Sequence, residues 1–146
     1  MVFCLEVEME ESRLKRYLDK IDLINNRIRL IHTWIDDIEL EDFIEDEKTK
    51  LAVYKAFQEI VEAYMDVFAM MCKDMNIPPK DDYTNLGNVG KVLKIDVNPL
   101  IEANGLRNVV IYRYNSVDDK IAYSRIKDLL PHMEKLTGVV KGWLRR

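Results

Sequence analysis

Glycine, proline and cysteine are scarce in this sequence. Its 146 residues include five Gly, four Pro and two Cys. Five of the nine Gly and Pro residues fall between Pro78 and Pro99, so the rest of the chain can run as long helices. Cys4 and Cys72 are far apart in sequence and match no CxxC or Cys/His spacing, which argues against a disulfide framework or a zinc site. We therefore expect reduced thiols in a cytoplasmic protein.

Long apolar runs and cofactor motifs are also missing. No stretch of 18 apolar residues could cross a membrane, and the first residues do not resemble a signal peptide. There is no Gly-rich phosphate loop, HExxH or GxSxG. The Glu-x-x-His pairs of di-metal bundles are absent because Arg29 and Leu129 stand three residues before His32 and His132. We expect no metal ion and no cofactor.

Two apolar stripes with helical spacing are present in the first half of the chain. The first predicts a helix from about Glu11 to about Asp36, and the second predicts a helix from about Asp46 to Met75. Two such helices joined by a short link are expected to lie antiparallel. The first stripe consists of Leu14, Tyr17, Ile21, Ile24, Ile28, Ile31, Ile35 and Ile38. The second consists of Val53, Phe57, Ile60, Tyr64, Val67 and Met71.

The second half is divided by turn signals into three further helices. After the break at 76–82, Thr84 is expected to cap a short helix, and Asn98-Pro99 is expected to open the next one. Ser116 is expected to cap the last helix, which Pro131 should kink. The prediction is one all-α domain over 1–146, an antiparallel bundle of four main helices plus one short helix. Residues 1–10 are expected to form an irregular N-terminal extension.

Charge is divided unevenly along the chain, whose net charge is −4. Residues 1–73 hold 17 acidic and 10 basic side chains, a balance of −7, whereas residues 74–146 hold 9 and 12, a balance of +3. The acidic link at 36–47 is interpreted as a solvated loop, with a docking site for a basic partner as the alternative. The basic residues of the second half form either a local cationic patch or ordinary solubilising charge. They include Arg107, Arg113, Arg125, Lys127, Lys141, Arg145 and Arg146.

The segment 107–114 concentrates polar groups near the end of a predicted helix. Asn108 and Tyr112 are four residues apart and share one helix face, while Arg107 and Tyr114 are seven apart and share another. These groups could contact a phosphate. The alternative is structural: Arg107 forms an ion pair, and the two tyrosines are half-buried core residues.

This segment resembles the signature of the HepT-like HEPN family of small helical toxin ribonucleases. The signature reads Arg, four residues, His, one residue, Tyr. Arg107, Asn108 and Tyr114 are in place, but Tyr112 occupies the position of the His. The resemblance extends over nearly the whole chain, because the 43–46 and 57–66 stretches and the Gly105 to Asn108 entry also follow the family's order.

The resemblance implies a homodimer with a cleft between subunits that cleaves RNA without metal. It also implies a small nucleotidyltransferase antitoxin, which transfers AMP to the tyrosine at Tyr114. Arg107 would bind the scissile phosphate and act in catalysis together with Tyr112. Asn108 would orient the backbone or the substrate, and Arg113 is a further candidate for substrate binding.

Tyr112 matters because RNA cleavage without metal needs a proton acceptor and a proton donor. His titrates near pH 6.5, whereas Tyr titrates near pH 10 and is a weak base at pH 7. Loss of a general acid or base costs about 10²–10⁴ in rate. The sequence therefore indicates a ribonuclease that this difference weakens. The alternatives are a non-catalytic dimer that binds the nucleotidyltransferase or RNA, and a plain helical scaffold.

Overall fold

A computed structural model describes residues 10–112 and 118–145, although the side chains of Ile111 and Tyr112 are not included. Six helices and no strands occur in these ranges. The helices are α1 (Glu11–Ile35), α2 (Leu40–Glu45), α3 (Glu47–Asp74), α4 (Asp82–Leu93), α5 (Asn98–Tyr112) and α6 (Asp119–Leu144). The predicted all-α class is confirmed. The expected N-terminal extension lies almost wholly outside the described residues.

Helices α1 and α3 form the centre of the bundle, and their apolar stripes are the ones visible in the sequence. From Tyr17 to Ile35 the stripe of α1 is buried, and every member of the α3 stripe is buried. Tyr64 in mid-α3 donates its hydroxyl to the Met133 carbonyl of α6. Each large apolar side chain that is buried contributes about 1.5–3 kcal/mol to stability. The contact between α1 and α3 is therefore the main source of stability.

Ion pairs at regular intervals fix the antiparallel register of α1 and α3. Arg13 Nε lies 2.7 Å from Asp74 Oδ1, and Arg27 Nε lies 2.9 Å from Glu59 Oε1. Between them Lys20 Nζ lies 3.1 Å from Asp66 Oδ2. The cations follow one another at steps of seven residues along α1, so a slip of one helical turn would separate every pair.

The other helices close the bundle around this pair. Helix α6 packs on α1 and α5, while α4 and α5 pack on α3. The start of α1 meets the end of α6, where the rings of Tyr17 and Trp143 make an edge contact at 5.8 Å. This arrangement is the antiparallel bundle that was predicted. It brings α3, α4 and α5 together at one junction.

The acidic link contains a second short helix that the sequence analysis did not predict. Helix α2 buries Phe43 completely, and the ring of Phe43 lies 4.8 Å from the Tyr123 ring and 6.1 Å from the Tyr54 ring. One buried aromatic side chain thus anchors this part of the link. The solvated-loop interpretation holds only for its exposed acidic side chains.

The helix starts differ in detail from the predicted caps. Helix α4 is capped by Asp81, which accepts from the Thr84 backbone N–H at 3.1 Å, so Thr84 is not the cap. Helix α6 is capped by Asp118, and Ser116 lies outside the described residues. Asp suits both cap positions because its carboxylate accepts from free backbone N–H groups and is also attracted by the positive end of the helix. Helix α6 continues through Pro131 to Leu144.

Candidate functional site

Helix α5 carries the first part of the 107–114 segment. Arg107 and Asn108 lie in its last turns and are partly buried, and Tyr112 is its final residue. The Tyr112 side chain, Arg113 and Tyr114 lie outside the described part of the chain. Of the five predicted site residues, the structure therefore places the side chains of Arg107 and Asn108.

Arg107 lies where α3, α4 and α5 meet. Its Nη2 donates to Asn104 Oδ1 at 2.6 Å, and its Nη1 donates to Glu62 Oε2 at 3.2 Å. Asp82 Oδ2 lies 3.8 Å from Nη2. Only 16% of the Arg107 side chain is exposed. The ion pair of the structural alternative is thus present, and it involves two carboxylates from two other helices.

Asn104 is one of three buried polar side chains among the described residues, together with Asn85 and Thr137. It is only 2% exposed, and it lies one helical turn before Arg107 on α5. Its side-chain oxygen is the buried acceptor for the guanidinium. Asn104 was not among the residues predicted from the sequence, although its spacing of three from Arg107 is the signal that could have indicated it.

Glu62 and Asp82 lie on the solvent side of Arg107. Their side chains are 44% and 42% exposed. Gln58, one turn earlier on α3, donates to the same Glu62 oxygen at 3.2 Å. These five residues, Gln58, Glu62, Asp82, Asn104 and Arg107, are called the Arg107 cluster below. With one cation and two carboxylates, the cluster has a formal charge of −1.

The guanidinium still has unused hydrogen-bonding capacity. Nε of Arg107 is buried and has no hydrogen-bond partner among the described residues. A guanidinium carries five N–H donors, and its fork matches a carboxylate or a phosphate in the same way. The fork can therefore pair with an anion of either kind, and in this structure it pairs with carboxylates.

A second polar cluster fixes the start of α6, directly after the 113–117 segment. The Tyr54 hydroxyl donates to Asp119 Oδ1 at 2.5 Å, and Lys50 Nζ lies 2.9 Å from Asp119 Oδ2. The hydrogen bond that Lys50 donates to Asp119 raises the pKa of Lys50, and burial raises the pKa of Tyr54. Both α3 side chains thus tie the start of α6 to the core.

Among the residues that the structure describes, the other basic side chains of the second half do not form one compact patch. Arg125 and Lys141 are both on α6, sixteen residues apart, which is about 24 Å along the helix. Lys127 Nζ lies 5.1 Å from the Tyr123 ring centroid, in a cation–π contact. The described cations therefore favour ordinary surface charge over a continuous nucleic-acid track.

Neither histidine belongs to the Arg107 cluster. His32 lines a groove of about 840 Å³ between α1 and α6, where its Nδ1 lies 3.1 Å from Asp36 Oδ1. His132 is exposed on α6. Within the described ranges, no group of three His, Cys, Asp or Glu side chains is arranged to hold a metal ion, and no helix is long and apolar enough to cross a bilayer.

Fold and site together define a small helical bundle with an arginine-centred polar site at the junction of three helices. The family described as Ribonuclease HepT-like matches residues 15–140 of this chain. The chain belongs to that family.

Relatives of known description agree with this assignment. The chain is similar to two proteins of Archaeoglobus fulgidus, both named "Putative RNase". One is 30% identical over 127 residues, which cover 85% of this chain and 87% of the relative. The other is 31% identical over 123 residues, which cover 80% and 84%. A "Putative RNase" of Methanocaldococcus jannaschii is 36% identical over 80 residues, which cover 51% and 88%. No solved structure matches the chain significantly.

Proposed function

We propose that this protein is a metal-independent endoribonuclease of a toxin–antitoxin pair, weakened by Tyr112. The observation that carries the proposal is the placement of Arg107. The guanidinium is held at a junction of three helices in a chain of the HepT-like ribonuclease family, at the family's Arg position. An arginine that a buried contact holds in place suits a phosphate of RNA, because its planar fork matches two phosphate oxygens.

The reaction would be an attack of a ribose 2′-oxygen on the neighbouring phosphorus. The new O2′–P bond forms while the P–O5′ bond breaks, the 2′-hydroxyl loses its proton, and the departing O5′ gains one. Arg107 would stabilise the negative charge that grows on the phosphoryl oxygens. Tyr112 stands where the family has its acid–base His, and a phenol is a poor proton acceptor at pH 7.

The supporting roles follow from the resemblance. Asn108 and Arg113 would contact the RNA. A homodimer would place two copies of the site along one cleft, and a nucleotidyltransferase antitoxin would transfer AMP to Tyr114 in a cytoplasmic complex. Light scattering at micromolar concentration tests the dimer. The expected mass is twice the 17.2 kDa of one chain, and a dominant monomer would contradict the shared cleft.

A second candidate function is a non-catalytic dimer that binds the nucleotidyltransferase or RNA without cleavage. Two observations favour it: Tyr replaces the acid–base His, and two carboxylates already hold Arg107. Both features reduce cleavage without disturbing the helical scaffold.

Restoring the histidine tests the proposed activity. We expect Tyr112→His to increase RNA cleavage about 10²–10⁴-fold, because a group that titrates near neutrality then serves as base or acid. Cleavage of a labelled RNA and arrest of cell growth are the measurements. Arg107→Ala should abolish cleavage in both backgrounds, whereas Arg125→Ala, an exposed arginine on α6, should not. If neither the original chain nor Tyr112→His cleaves RNA, the non-catalytic function is supported.

A further inference from the structure

The contacts of Arg107 have an inner and an outer side. On the inner side, the buried Asn104 oxygen accepts from Nη2 at 2.6 Å. On the outer side, Glu62 and Asp82 lie 3.2 and 3.8 Å from the two Nη atoms, and both carboxylates are more than two-fifths exposed. The inner contact positions the guanidinium. The outer contacts occupy the side from which a phosphate would arrive.

A carboxylate and a phosphate compete for the same guanidinium geometry. Both accept a pair of N–H donors from the arginine fork, so a phosphate can take the place of a carboxylate. The formal charge of the Arg107 cluster is −1 while both carboxylates remain, and an incoming anion is repelled by that charge. Affinity for phosphate therefore depends on Glu62 and Asp82 as well as on Arg107.

We propose that Glu62 and Asp82 are specificity-determining residues that occupy the phosphate-facing side of Arg107. They reduce its affinity for phosphate groups, and they disfavour a dianionic terminal phosphate more strongly than a monoanionic internal phosphodiester. A terminal phosphate carries about −1.5 to −2 charges at pH 7, whereas a diester carries one, so the same two carboxylates repel it more. The inference rests on the proposed function only in that Arg107 contacts RNA.

The two carboxylates should contribute unequally. Glu62 lies within hydrogen-bonding distance of Nη1 and is itself held by Gln58 at 3.2 Å. Asp82 lies beyond hydrogen-bonding distance and acts on the guanidinium by charge alone. Glu62→Gln should therefore have the larger effect on binding, and Asp82→Asn the smaller one.

Binding measurements on the full chain test the proposal. The probe is a fluorescein-labelled single-stranded RNA, measured by fluorescence anisotropy at fixed salt. Because partly exposed ion pairs are worth about 0.2–1 kcal/mol, Glu62→Gln should tighten binding by roughly 1.4- to fivefold, and the double variant should exceed either single one. Asp66→Asn is the matched control: it removes the same charge from α3, but its partner is Lys20. It should change binding by less than the Glu62 substitution.

A competition experiment tests the selectivity. Adenosine monophosphate, with a terminal phosphate, and adenylyl-3′,5′-adenosine, with one diester, are compared as competitors of the labelled RNA. The double variant Glu62→Gln/Asp82→Asn should gain more affinity for the monophosphate than for the diester, by about two- to fivefold in their ratio. An equal gain for both compounds overturns the selectivity.

The same gain must depend on Arg107. In an Arg107→Gln background, Glu62→Gln should tighten binding by less, because the carboxylate then competes for no guanidinium and only its direct repulsion of the RNA is removed. Unchanged or weaker binding in Glu62→Gln and Asp82→Asn, with far-ultraviolet circular dichroism unaltered, overturns the proposal. Should one variant fail to fold, the other gives the same test. Cleavage is measured separately: binding that tightens without any cleavage contradicts the proposed ribonuclease activity and leaves this inference standing.

Discussion

Substitution of Asn104 should change the position of the Arg107 guanidinium while its charge stays the same. Asn104 is 2% exposed, and its oxygen accepts from Arg107 Nη2 at 2.6 Å. A hydrogen bond to a charged group contributes about 1.5–3 kcal/mol, and the guanidinium is largely covered, so water replaces the lost acceptor poorly. We therefore expect Asn104→Ala to lower the free energy of unfolding by about that amount.

The same change should also reduce the rate of RNA cleavage. Without the inner contact, the guanidinium is held only by its two exposed carboxylates and shifts toward them. A displacement of about 1 Å at a substrate-positioning group can cost about 10²-fold in rate. The loss is best measured in the Tyr112→His protein, because its expected rate of RNA cleavage is higher.

Asn85 provides a matched control for buried amides. It is also 2% exposed, accepts from the Lys80 backbone N–H at 2.8 Å, and donates to the Lys80 carbonyl at 3.1 Å. Asn85→Ala should cost a similar free energy of unfolding in urea titrations, because it also removes buried hydrogen bonds. RNA cleavage should remain near that of the parent. Equal losses of cleavage in the two variants would refute a positioning role for Asn104.

Two further predictions concern stability. Burial raises the pKa of Tyr17, Tyr54 and Tyr64 above the usual 10, so the folded chain keeps protons that the unfolded chain loses. Their stabilising contribution is complete below pH 10 and is lost as the pH rises further, by about 1.4 kcal/mol per pH unit for each tyrosine. Urea titrations in which the free energy of unfolding does not decline between pH 9.5 and 11 would contradict this. Asp74→Asn should lower the free energy of unfolding by about 1.5–3 kcal/mol, because Asp74 accepts from Arg13 and from the Tyr17 hydroxyl. Asp66→Asn breaks the Lys20–Asp66 pair, which also joins α1 to α3 but is more exposed, and it should cost less than about 1 kcal/mol. Equal losses in the Asp74 and Asp66 variants would show that burial does not determine the contribution of these pairs.

The long helices could be predicted because their information is local and repeated. The α1 stripe predicted a helix from Glu11 to about Asp36, and the structure has Glu11–Ile35. Apolar residues spaced by three and four over seven turns are compatible with a helix and not with a strand. Helix α2 has six residues and one buried side chain, Phe43, so it has no period to detect. Its anchor depends on the Tyr54 and Tyr123 rings, which are distant in sequence.

The candidate site was only partly predictable for the same reason. Arg107 stood out from its motif, but its partners Glu62 and Asp82 come from two other helices. Glu62 is spaced along α3 like Glu59 and Asp66, whose partners are on α1. Sequence spacing could not tell which of the three acids faces Arg107. That choice is made by the packing of α5 against α3.

Two features of this chain would reduce the proposed ribonuclease activity at different steps. If RNA binds at Arg107 as proposed, the carboxylates of Glu62 and Asp82 compete with its phosphate, so their effect would fall on affinity and hence on KM. Tyr112 stands at the position of a group that moves protons, so its effect would fall on kcat. Because the two steps are separate, the two effects should multiply in kcat/KM, and the Tyr112→His and Glu62→Gln substitutions together should raise it by the product of their separate gains.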